Sequence, residues 1–420
     1  MRYLYSLLWC LALPLVLARL WWRGRKEPGY RLHWAERLGF YGARGPGGHT
    51  LWLHAVSVGE TRAAEPLIEA LMQAYPESRI VLTHMTPTGR ATGRALFAKH
   101  GERLVQAYLP YDIPFMIGRF ITHFAPRICI LMETEVWPNL IAVCGERVPV
   151  ALVNARLSER SLRRGQRFAG LMTEAASTLA LVAAQTEADA QRVRSLGAPR
   201  VEVTGSIKFD VVVPDAARQT GAWLRERIGA RKVLLCASTR EGEEALILDA
   251  CAALLARPDA PLLLIVPRHP QRFDDVAALV AARGLTLQRR SGLMNQAVSS
   301  QVLLGDSMGE MFAYYVACDL AFIGGSLLPL GGQNLIEACA LGKPVLIGPH
   351  TFNFALATQQ AMEAGGAMCV ADAPELVAKA SELLVDDATR GAMGEQALAF
   401  AEHHRGATAR TVGLLRHMIF

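Results

Sequence analysis

The chain has 420 residues and a mass of 45.7 kDa, enough for about two or three domains with hydrophobic cores, which excludes a small module stapled by disulfides or zinc. Apolar residues make up 51% of the chain and charged residues 20%, a composition that excludes a disordered protein. The formal net charge of +6 favours an anionic partner, such as a nucleotide or a phosphorylated lipid.

The eight cysteines are scattered along the chain without a Cys-x-x-Cys pair. This spacing indicates neither a zinc site nor a disulfide framework, and it favours reduced cysteines in a cytosolic environment. The sequence also lacks the His-Glu-x-x-His motif and clusters of aspartates, which are the usual marks of a catalytic metal. We therefore expect neither a metal ion nor a cofactor.

Residues 3–18 form an uncharged apolar run with tyrosine and tryptophan residues near its ends. A run of this length predicts one helix that crosses a thin bilayer or lies partly embedded in it. A signal peptide cleaved near Ala18 is the alternative, but only Arg2 precedes the run, whereas several basic residues follow it. We therefore expect residues 1–22 to be a membrane anchor, with the remainder on the cytoplasmic side.

Two series of short apolar runs follow, each alternating with helical segments, and this pattern predicts an α/β protein with parallel sheets. The first series comprises LWLHAV from Leu51, RIVLTH from Arg79, RICILME from Arg127, VPVALVN from Val148 and TLALVAA from Thr178. The second comprises KVLLCAS from Lys232, PLLLIVP from Pro261, QVLLGD from Gln301, CDLAFIG from Cys318 and KPVLIG from Lys343. Two doubly wound domains in tandem are expected to bind ligands in a cleft at the carboxyl ends of their strands.

The loop HAVSVGE follows the first predicted strand and leads into a helix, which places Ser57, Gly59 and Glu60 at the helix N-terminus. There the helix dipole is expected to keep the Glu60 carboxylate ionised and able to act as a general base. The Ser-x-x-Glu spacing is also a capping box that needs no catalysis. From the local pattern alone, the capping role is favoured.

Two further motifs of the first domain carry charge. In METEVWPN, Glu133 and Glu135 lie where a strand reaches the cleft, and acids placed there can orient hydroxyls or stabilise cationic character. In NARLSERSLRRGQRF, the arginines from Arg156 to Arg167 recur at helical spacing on one face. This basic stripe either binds phosphates of an acceptor or lipid headgroups, or is an ordinary solvated face.

In the second domain, polar loops again follow the strands at the ends that face the cleft. They are ASTREGEE around Arg240, PRHP with Arg268 and His269, GDSMGE with Met308, Gly309 and Glu310, and GGQNLIEA with Gly331, Gly332, Asn334 and Glu337. The glycine amides can hold a nucleotide phosphate and the glutamate can accept hydrogen bonds from ribose hydroxyls, although Asn-x-x-Glu can equally be a helix cap. Neither a G-x-G-x-x-G motif after the first strand nor a P-loop occurs, which argues against dinucleotide oxidoreductases and P-loop enzymes.

Together, these motifs, with LPYD, NARLS, GSIKFD, FIGGS and GPHTFNF, resemble the Kdo transferases of lipopolysaccharide assembly. These enzymes attach 3-deoxy-D-manno-octulosonic acid (Kdo) to the lipid A precursor. The resemblance implies a GT-B glycosyltransferase with two Rossmann-like domains: an acceptor domain over residues 23–207, and a donor domain over residues 208–420 whose last helix is a candidate to pack back on the first. It also implies attachment to the inner membrane.

The resemblance further implies an inverting, metal-independent transfer from CMP-Kdo to the lipid A precursor (lipid IVA), with Glu60 as the general base. That implication reverses the preference for a purely capping role. The resemblance also implies that Glu133, with Glu135 as the close alternative, organises the reacting centre, and that Lys208 stabilises negative charge on the phosphate or holds the Kdo carboxylate. The implied substrate-binding residues are Ser57, Gly59, Glu135, Ser206, Arg240, Arg268, His269, Met308, Gly309, Glu310, Gly331, Asn334, Leu335, Ile336 and Glu337.

One departure from the family pattern is Leu335, which replaces a proline after the asparagine and affects the local backbone rather than the chemistry.

The partners expected from the resemblance are CMP-Kdo, the lipid A precursor and the lipid surface of the inner membrane, with no nucleic acid. A GT-B glycosyltransferase or epimerase that uses a UDP-sugar is the rival enzyme. A membrane-associated anion-binding or scaffolding protein without turnover is the rival from another class.

Overall fold

The computed structural model describes residues 1–42, 48–145, 147–165 and 168–419. The chain divides into two compact units: unit 1 comprises Met1–Asp210 and Arg405–Phe420, and unit 2 comprises Val211–His404. The division falls three residues beyond the boundary expected after residue 207, and Ile207 itself is fully buried in the core of unit 1. The Asp210 carboxylate also accepts the backbone N–H groups of Gly406 at 2.6 Å and Thr408 at 2.5 Å, which ties the C-terminal segment to unit 1.

The described residues form fourteen strands, seven in each unit. In unit 1 they are β1 (His49–His54), β2 (Ser78–His84), β3 (Leu104–Tyr108), β4 (Pro126–Met132), β5 (Val150–Ala155), β6 (Leu181–Ala184) and β7 (Val201–Val203). In unit 2 they are β8 (Val233–Thr239), β9 (Leu262–Pro267), β10 (Leu287–Arg289), β11 (Val302–Leu304), β12 (Leu320–Ile323), β13 (Val345–Ile347) and β14 (Ala367–Cys369).

The segment from β10 to β11 contains a short 3-10 turn, Arg290–Gly292, whereas α-helices connect the other successive strands within both units. Their bounds are α1 (Arg2–Arg23), α2 (Trp34–Arg37), α3 (Val58–Ala63), α4 (Glu65–Ala74), α5 (Pro87–Phe97), α6 (Pro114–Phe124), α7 (Pro138–Gly145), α8 (Glu159–Gly165), α9 (Ala169–Thr178), α10 (Glu187–Ser195), α11 (Asp215–Ile228), α12 (Glu243–Leu255), α13 (Phe273–Ala281), α14 (Met311–Ala317), α15 (Ile336–Cys339), α16 (Ala355–Glu363), α17 (Ala373–Val385), α18 (Asp387–His403) and α19 (Ala407–Ile419).

Both sheets are parallel, with the orders β3-β2-β1-β4-β5-β6-β7 and β10-β11-β9-β8-β12-β13-β14. The central strands are apolar on both faces because helices cover both sides of each sheet; Leu51, Trp52 and Leu53 of β1, for example, are all fully buried. The predicted α/β class with two doubly wound parallel sheets is confirmed. The direction of winding reverses between β1 and β4 in unit 1, and between β8 and β12 in unit 2, and ligands of such sheets bind at these reversals.

The N-terminal helix α1 has 22 residues, and an 18-residue window within it has a mean hydropathy of 1.7, so by length and composition it could cross a membrane. One of its faces packs on unit 1, where Trp9, Leu13 and Leu17 join a small core with Tyr111 and other residues. The opposite face carries exposed leucines and aromatic residues, including Leu4, Leu7, Leu8, Leu11, Leu15 and Trp22.

Candidate functional site

The acidic residues singled out in unit 1 lie in the loops after β1 and β4, the two strands that flank the reversal of winding. Because adjacent parallel strands end at the same edge of the sheet, these loops are neighbours. The topology therefore brings Glu60 close to Glu133 and Glu135, although more than seventy residues separate them in the sequence.

Glu60 occupies the first turn of α3, where Ser57 is the N-cap residue and accepts the Glu60 backbone N–H at 3.4 Å. The Glu60 carboxylate accepts the Val56 backbone N–H at 2.6 Å, one residue before the N-cap, and so differs from a standard capping box, in which it would accept the N–H of Ser57 itself. Gly59, which precedes Glu60, is exposed. The local geometry is therefore that of a helix cap, whatever further role the carboxylate has.

Electrostatics distinguish Glu60 from an ordinary cap. Burial, the charge of Glu135 and, less strongly, that of Glu133 raise the pKa of Glu60 to about 7, against the lowering effect of its hydrogen bonds to Val56 and Ser57. The helix dipole, which is expected to favour the ionised form, is therefore not the dominant influence on this pKa. Helix α3 is only six residues long, and burial next to two other acids outweighs its dipole. A carboxyl with a pKa near neutrality is suited to accept a proton.

Glu135 is held by Trp137, whose indole N–H donates to its carboxylate at 2.8 Å. Burial, followed by the charge of Glu133, raises the pKa of Glu135. Glu133 lies at the end of β4 with φ +55°, a left-handed conformation that is uncommon for a residue with a side chain. Backbone strain of this kind is concentrated at functional sites.

Lys208 pairs with Glu133, with 2.7 Å between Nζ and Oε1, so the structure brings together these two sequence-predicted residues. Lys208 lies in the short 3-10 turn Ile207–Phe209, whose N-cap is Ser206. The turn is fixed by Asn154, since the side-chain oxygen of Asn154 accepts the Ile207 backbone N–H at 3.1 Å. Asn154 is fully buried and also has a positive φ, of +52°.

At its start, the predicted basic stripe is shorter than its spacing indicated. Arg156 precedes α8 and continues the end of β5, where its backbone N–H reaches the Glu133 carbonyl at 3.4 Å, and Arg167 lies outside the described residues. The arginines that remain on α8 are Arg160, Arg163 and Arg164, which with Glu159 line a surface pocket of about 420 Å³. Arg156 does not share their helical face, because α8 begins at Glu159.

In unit 2, Arg240, Arg268 and His269 lie close together at the ends of β8 and β9. The Arg268 backbone N–H donates to the Thr239 carbonyl at 2.9 Å, which joins the two strand ends. Burial and then the charges of Arg268 and Arg240 lower the pKa of His269. This cluster is a local concentration of positive potential, suited to an anionic ligand.

The GGQNLIEA segment forms a helix start that is tied by its own side chains. The Asn334 side-chain oxygen accepts the Ile336 backbone N–H at 3.1 Å, and its amide group donates to Glu337 at 3.1 Å. Leu335 and Ile336 are buried in the core of unit 2. The capping interpretation of Asn-x-x-Glu therefore describes the local geometry, and Glu337 remains half-buried beside it.

Gly331 and Gly332, which precede Asn334, make close contacts with other residues of unit 2. Gly332 donates its backbone N–H to the Gly325 carbonyl at 2.7 Å. A Cβ on Gly331, whose φ is +96°, would lie 2.3 Å from the Asn353 side-chain nitrogen. The space beside Gly331 is thus filled by the Asn353 side chain. The Gly332 N–H is bonded to the Gly325 carbonyl and not, as expected from the sequence, directed at a phosphate.

The GDSMGE loop is ordered by Glu310, which pairs with Arg290 at 2.9 Å and accepts the Ser307 hydroxyl at 2.5 Å. Gly309 has φ +82°, which explains why glycine occupies this turn. Met308 is 56% exposed, so its side chain is available for contact with a ligand.

Three buried polar residues that sequence reasoning did not single out support these sites. Asp112, from the LPYD motif, accepts the Leu140 backbone N–H at 2.8 Å and so holds the start of α7. Asn154 holds the turn that carries Lys208. Glu243 binds the backbone of a glycine-containing turn in unit 2. Each lies in a motif already quoted, but nothing in the sequence marks a polar residue as buried. Within the described part of the chain, no three His, Cys, Asp or Glu side chains are grouped as metal ligands.

Comparison with known proteins adds family evidence. Residues 32–211 match the family described as 3-Deoxy-D-manno-octulosonic-acid transferase (kdotransferase). The chain is 47% identical over 414 residues to a 3-deoxy-D-manno-octulosonic acid transferase of Bordetella pertussis, covering 96% of each chain. It is 39% identical over 421 residues to one of Haemophilus influenzae, covering 99% of this chain and 98% of that one.

Among solved structures, UDP-GlcNAc 2-epimerase from Neisseria meningitidis bound to UDP-GlcNAc matches with a TM-score of 0.59 and 15% identity, over 87% of this chain and 99% of that one. Anabaena Alr3699/HepE in complex with UDP matches with a TM-score of 0.56 and 16% identity, over 88% of this chain and 99% of that one. At these identities the likeness concerns the fold alone.

Proposed function

Because this chain belongs to the 3-deoxy-D-manno-octulosonic acid transferase family and is a glycosyltransferase, we propose that it moves Kdo from CMP-Kdo to the lipid A precursor lipid IVA by an inverting, metal-independent displacement. The near full-length likeness to two Kdo transferases supports the sugar and the reaction type. The donor nucleotide, the acceptor and the stereochemistry are our inferences. Unit 1 then binds the acceptor, and unit 2 binds the donor.

Glu60 is the general base in this proposal, which is supported by its place beside the acidic loop of Glu133 and Glu135, at the reversal of winding, together with its raised pKa. The carboxylate takes the proton of the acceptor hydroxyl while the hydroxyl oxygen forms a bond to the anomeric carbon of Kdo. The bond between that carbon and the CMP phosphate oxygen breaks, and its electron pair leaves with CMP. One displacement on the face opposite the leaving group inverts the anomeric carbon. A base whose pKa matches the working pH serves this step best.

Lys208 and Glu133 organise charge around that step. A cation at Lys208 stabilises the negative charge that develops on the departing phosphate, or holds the Kdo carboxylate, and thereby takes a role that a metal ion fills in other enzymes. The 2.7 Å pair with Glu133 fixes the ammonium group in advance. Glu135, held by Trp137, keeps the pKa of Glu60 high and is the alternative partner for the reacting centre.

Unit 2 supplies the contacts for the donor. The cationic cluster of Arg240, Arg268 and His269 binds the phosphate or the Kdo carboxylate, because guanidinium groups recognise such planar or tetrahedral anions with paired hydrogen bonds. Glu337, placed by its hydrogen bond with Asn334 at 3.1 Å, accepts from ribose hydroxyls. The segment from Met308 to Glu310 contributes the remaining wall of the nucleotide site.

The helix α1 attaches the protein to the inner membrane from the cytoplasmic side. Its second turn is tied to unit 1, since the Ser6 hydroxyl donates to Asn139 at 3.0 Å and Trp9 stacks on Tyr111 with 5.8 Å between ring centroids. Leu20, near the other end, is buried against the same unit. A helix docked along its length supports attachment in the interface of one leaflet, with the exposed leucine face toward the acyl chains.

The proposal is tested by Glu60→Gln, with Glu65→Gln as the matched control on the adjacent helix α4. Transfer of Kdo from CMP-Kdo should fall by two orders of magnitude or more in Glu60→Gln, because the amide cannot take the proton. Circular dichroism and CMP binding should be unchanged in both variants, and Glu65→Gln should transfer at nearly the wild-type rate. Full transfer by Glu60→Gln would remove Glu60 from the mechanism. Loss of transfer by the control would make the effect structural.

A further inference from the structure

Glu243, at the start of α12, is fully buried although its side chain is acidic. One of its carboxylate oxygens accepts the backbone N–H groups of Gly325 at 2.6 Å and of Arg240 at 2.9 Å. The other accepts those of Ser326 and Leu327, both at 2.9 Å. Four backbone amides from the loops after β8 and β12 therefore converge on one carboxylate.

Three of these amides belong to consecutive residues of a tight turn after β12. Successive N–H groups that point inward form a concave site with positive potential, which in many nucleotide-binding proteins receives a phosphate. Here the site is filled by the protein's own carboxylate, whose charge is stabilised by charge-assisted hydrogen bonds. The turn packs so tightly on the end of β8 that a Cβ on Gly324 would lie 2.6 Å from the Thr239 Cα.

The turn in turn holds the segment that carries the proposed donor contacts. The Gly325 carbonyl accepts the Gly332 backbone N–H at 2.7 Å, and the Gly324 carbonyl accepts that of Gln333 at 3.0 Å. Asn334 follows directly in the sequence. If the turn shifts, these two backbone hydrogen bonds therefore move Gly332 and Gln333 with it. Those residues in turn place Asn334 and Glu337. The same carboxylate also holds the backbone N–H of Arg240, at the edge of the cationic cluster.

We propose that Glu243 is a positioning residue for donor binding: an internal anion that holds the turn Gly324–Leu327, the backbone of Arg240 and, through the turn, the segment 331–334 in the shape that the nucleotide requires. This inference rests on the proposed role of unit 2 as the donor unit. Glu243 does not touch the donor itself, and its effect reaches the nucleotide through the backbone of the two loops.

The experiment compares Glu243→Gln with Glu244→Gln, a matched control one residue further along α12. Glu244 is equally buried, but its carboxylate accepts the Thr239 hydroxyl at 3.0 Å and pairs with Arg272 at 3.4 Å, and neither partner belongs to the turn. In Glu243→Gln one acceptor becomes an NH₂ group that faces backbone donors, so at least one of the four hydrogen bonds is lost. The Kd for CMP and the KM for CMP-Kdo should rise about tenfold or more, with the acceptor KM unchanged.

A second variant covers the case in which Glu243→Gln does not fold. Glu243→Ala leaves a hole lined by the four amides, and sodium formate should refill it. Both the melting temperature and the affinity for CMP should rise with formate more than with chloride at equal ionic strength, while Glu244→Ala should show no such difference. Amide hydrogen exchange of residues 324–334 should quicken in Glu243→Ala and slow again in formate.

The outcomes separate the inference from the proposed function. If the wild-type protein does not bind CMP, the donor assignment of unit 2 fails and the inference fails with it. If the wild type binds CMP but Glu243→Gln binds it equally well, or changes the donor and acceptor KM alike, the positioning role alone is overturned. The same holds if formate acts no differently from chloride on Glu243→Ala.

Discussion

The pH dependence of transfer offers a direct test of how unit 1 tunes Glu60. With a pKa of about 7, roughly one tenth of the Glu60 carboxyl is ionised at pH 6 and roughly nine tenths at pH 8. Only the ionised form can accept a proton. The value of kcat/KM, which reports on the free enzyme, should therefore rise about tenfold between pH 6 and pH 8. A carboxylate with an ordinary pKa would give a flat profile over this range.

The substitution Glu135→Gln tests what raises the pKa of Glu60. The Glu135 charge is, after burial, the strongest influence that raises the pKa of Glu60, and removing it lowers that pKa. Relative to its own maximum, the variant should be more active at pH 6 than the wild type, with the midpoint of the profile displaced toward acid. Glu187→Gln, an exposed carboxylate on α10, is the control and should leave the midpoint where it is.

The assay is CMP release from CMP-Kdo in the presence of acceptor, followed from pH 5.5 to 8.5 at constant ionic strength. A wild-type profile that is flat from pH 6 to pH 8 would contradict the raised pKa of Glu60. An unchanged midpoint in Glu135→Gln would leave the raised pKa in place but show that the neighbouring carboxylate does not produce it.

Three further changes test other parts of the proposal. Lys208→Met breaks the 2.7 Å pair with Glu133 and removes the cation, so kcat should fall on the order of 100-fold with a smaller change in donor KM, as measured by steady-state kinetics. Replacing Arg160 and Arg163 by glutamine should raise acceptor KM about threefold to tenfold and leave donor KM unchanged if the α8 pocket binds acceptor phosphates; equal effects on both would reject that role. Leu11→Glu places a charge on the exposed face of α1, so co-sedimentation with anionic vesicles should drop at least about tenfold while the melting temperature stays constant, because Leu11 is 66% exposed.

The strands that the sequence predicted are the inner strands of both sheets, and the ones it missed are the four edge strands β3, β7, β10 and β14. Inner strands are buried on both faces and read as continuous apolar runs. An edge strand is partly exposed, as in β10, where all three residues are half-buried, and its mixed composition does not stand out from a loop. The sequence thus predicted the class and the winding, but not the width of the sheets.

For the candidate site, too, the sequence predicted some features and not others. The sequence motifs named Glu60, Glu133 and Lys208, and the order of the strands explains why loops distant in the chain meet. The sequence did not predict the pKa of Glu60, because that value depends on burial and on two carboxylates from another loop. Nor did it predict Glu243, since a carboxylate bound only by backbone amides leaves no pattern of side chains to recognise.

The central claim is the transfer of Kdo to the lipid A precursor without a metal ion, and mass spectrometry of the product tests it most directly. The purified protein would be incubated in detergent with lipid IVA, CMP-Kdo and EDTA, next to an active Kdo transferase as a control. We predict a product heavier than lipid IVA by one or more Kdo units, formed equally well with and without EDTA. Unmodified lipid IVA, from folded protein under conditions in which the control enzyme is active, would contradict the account.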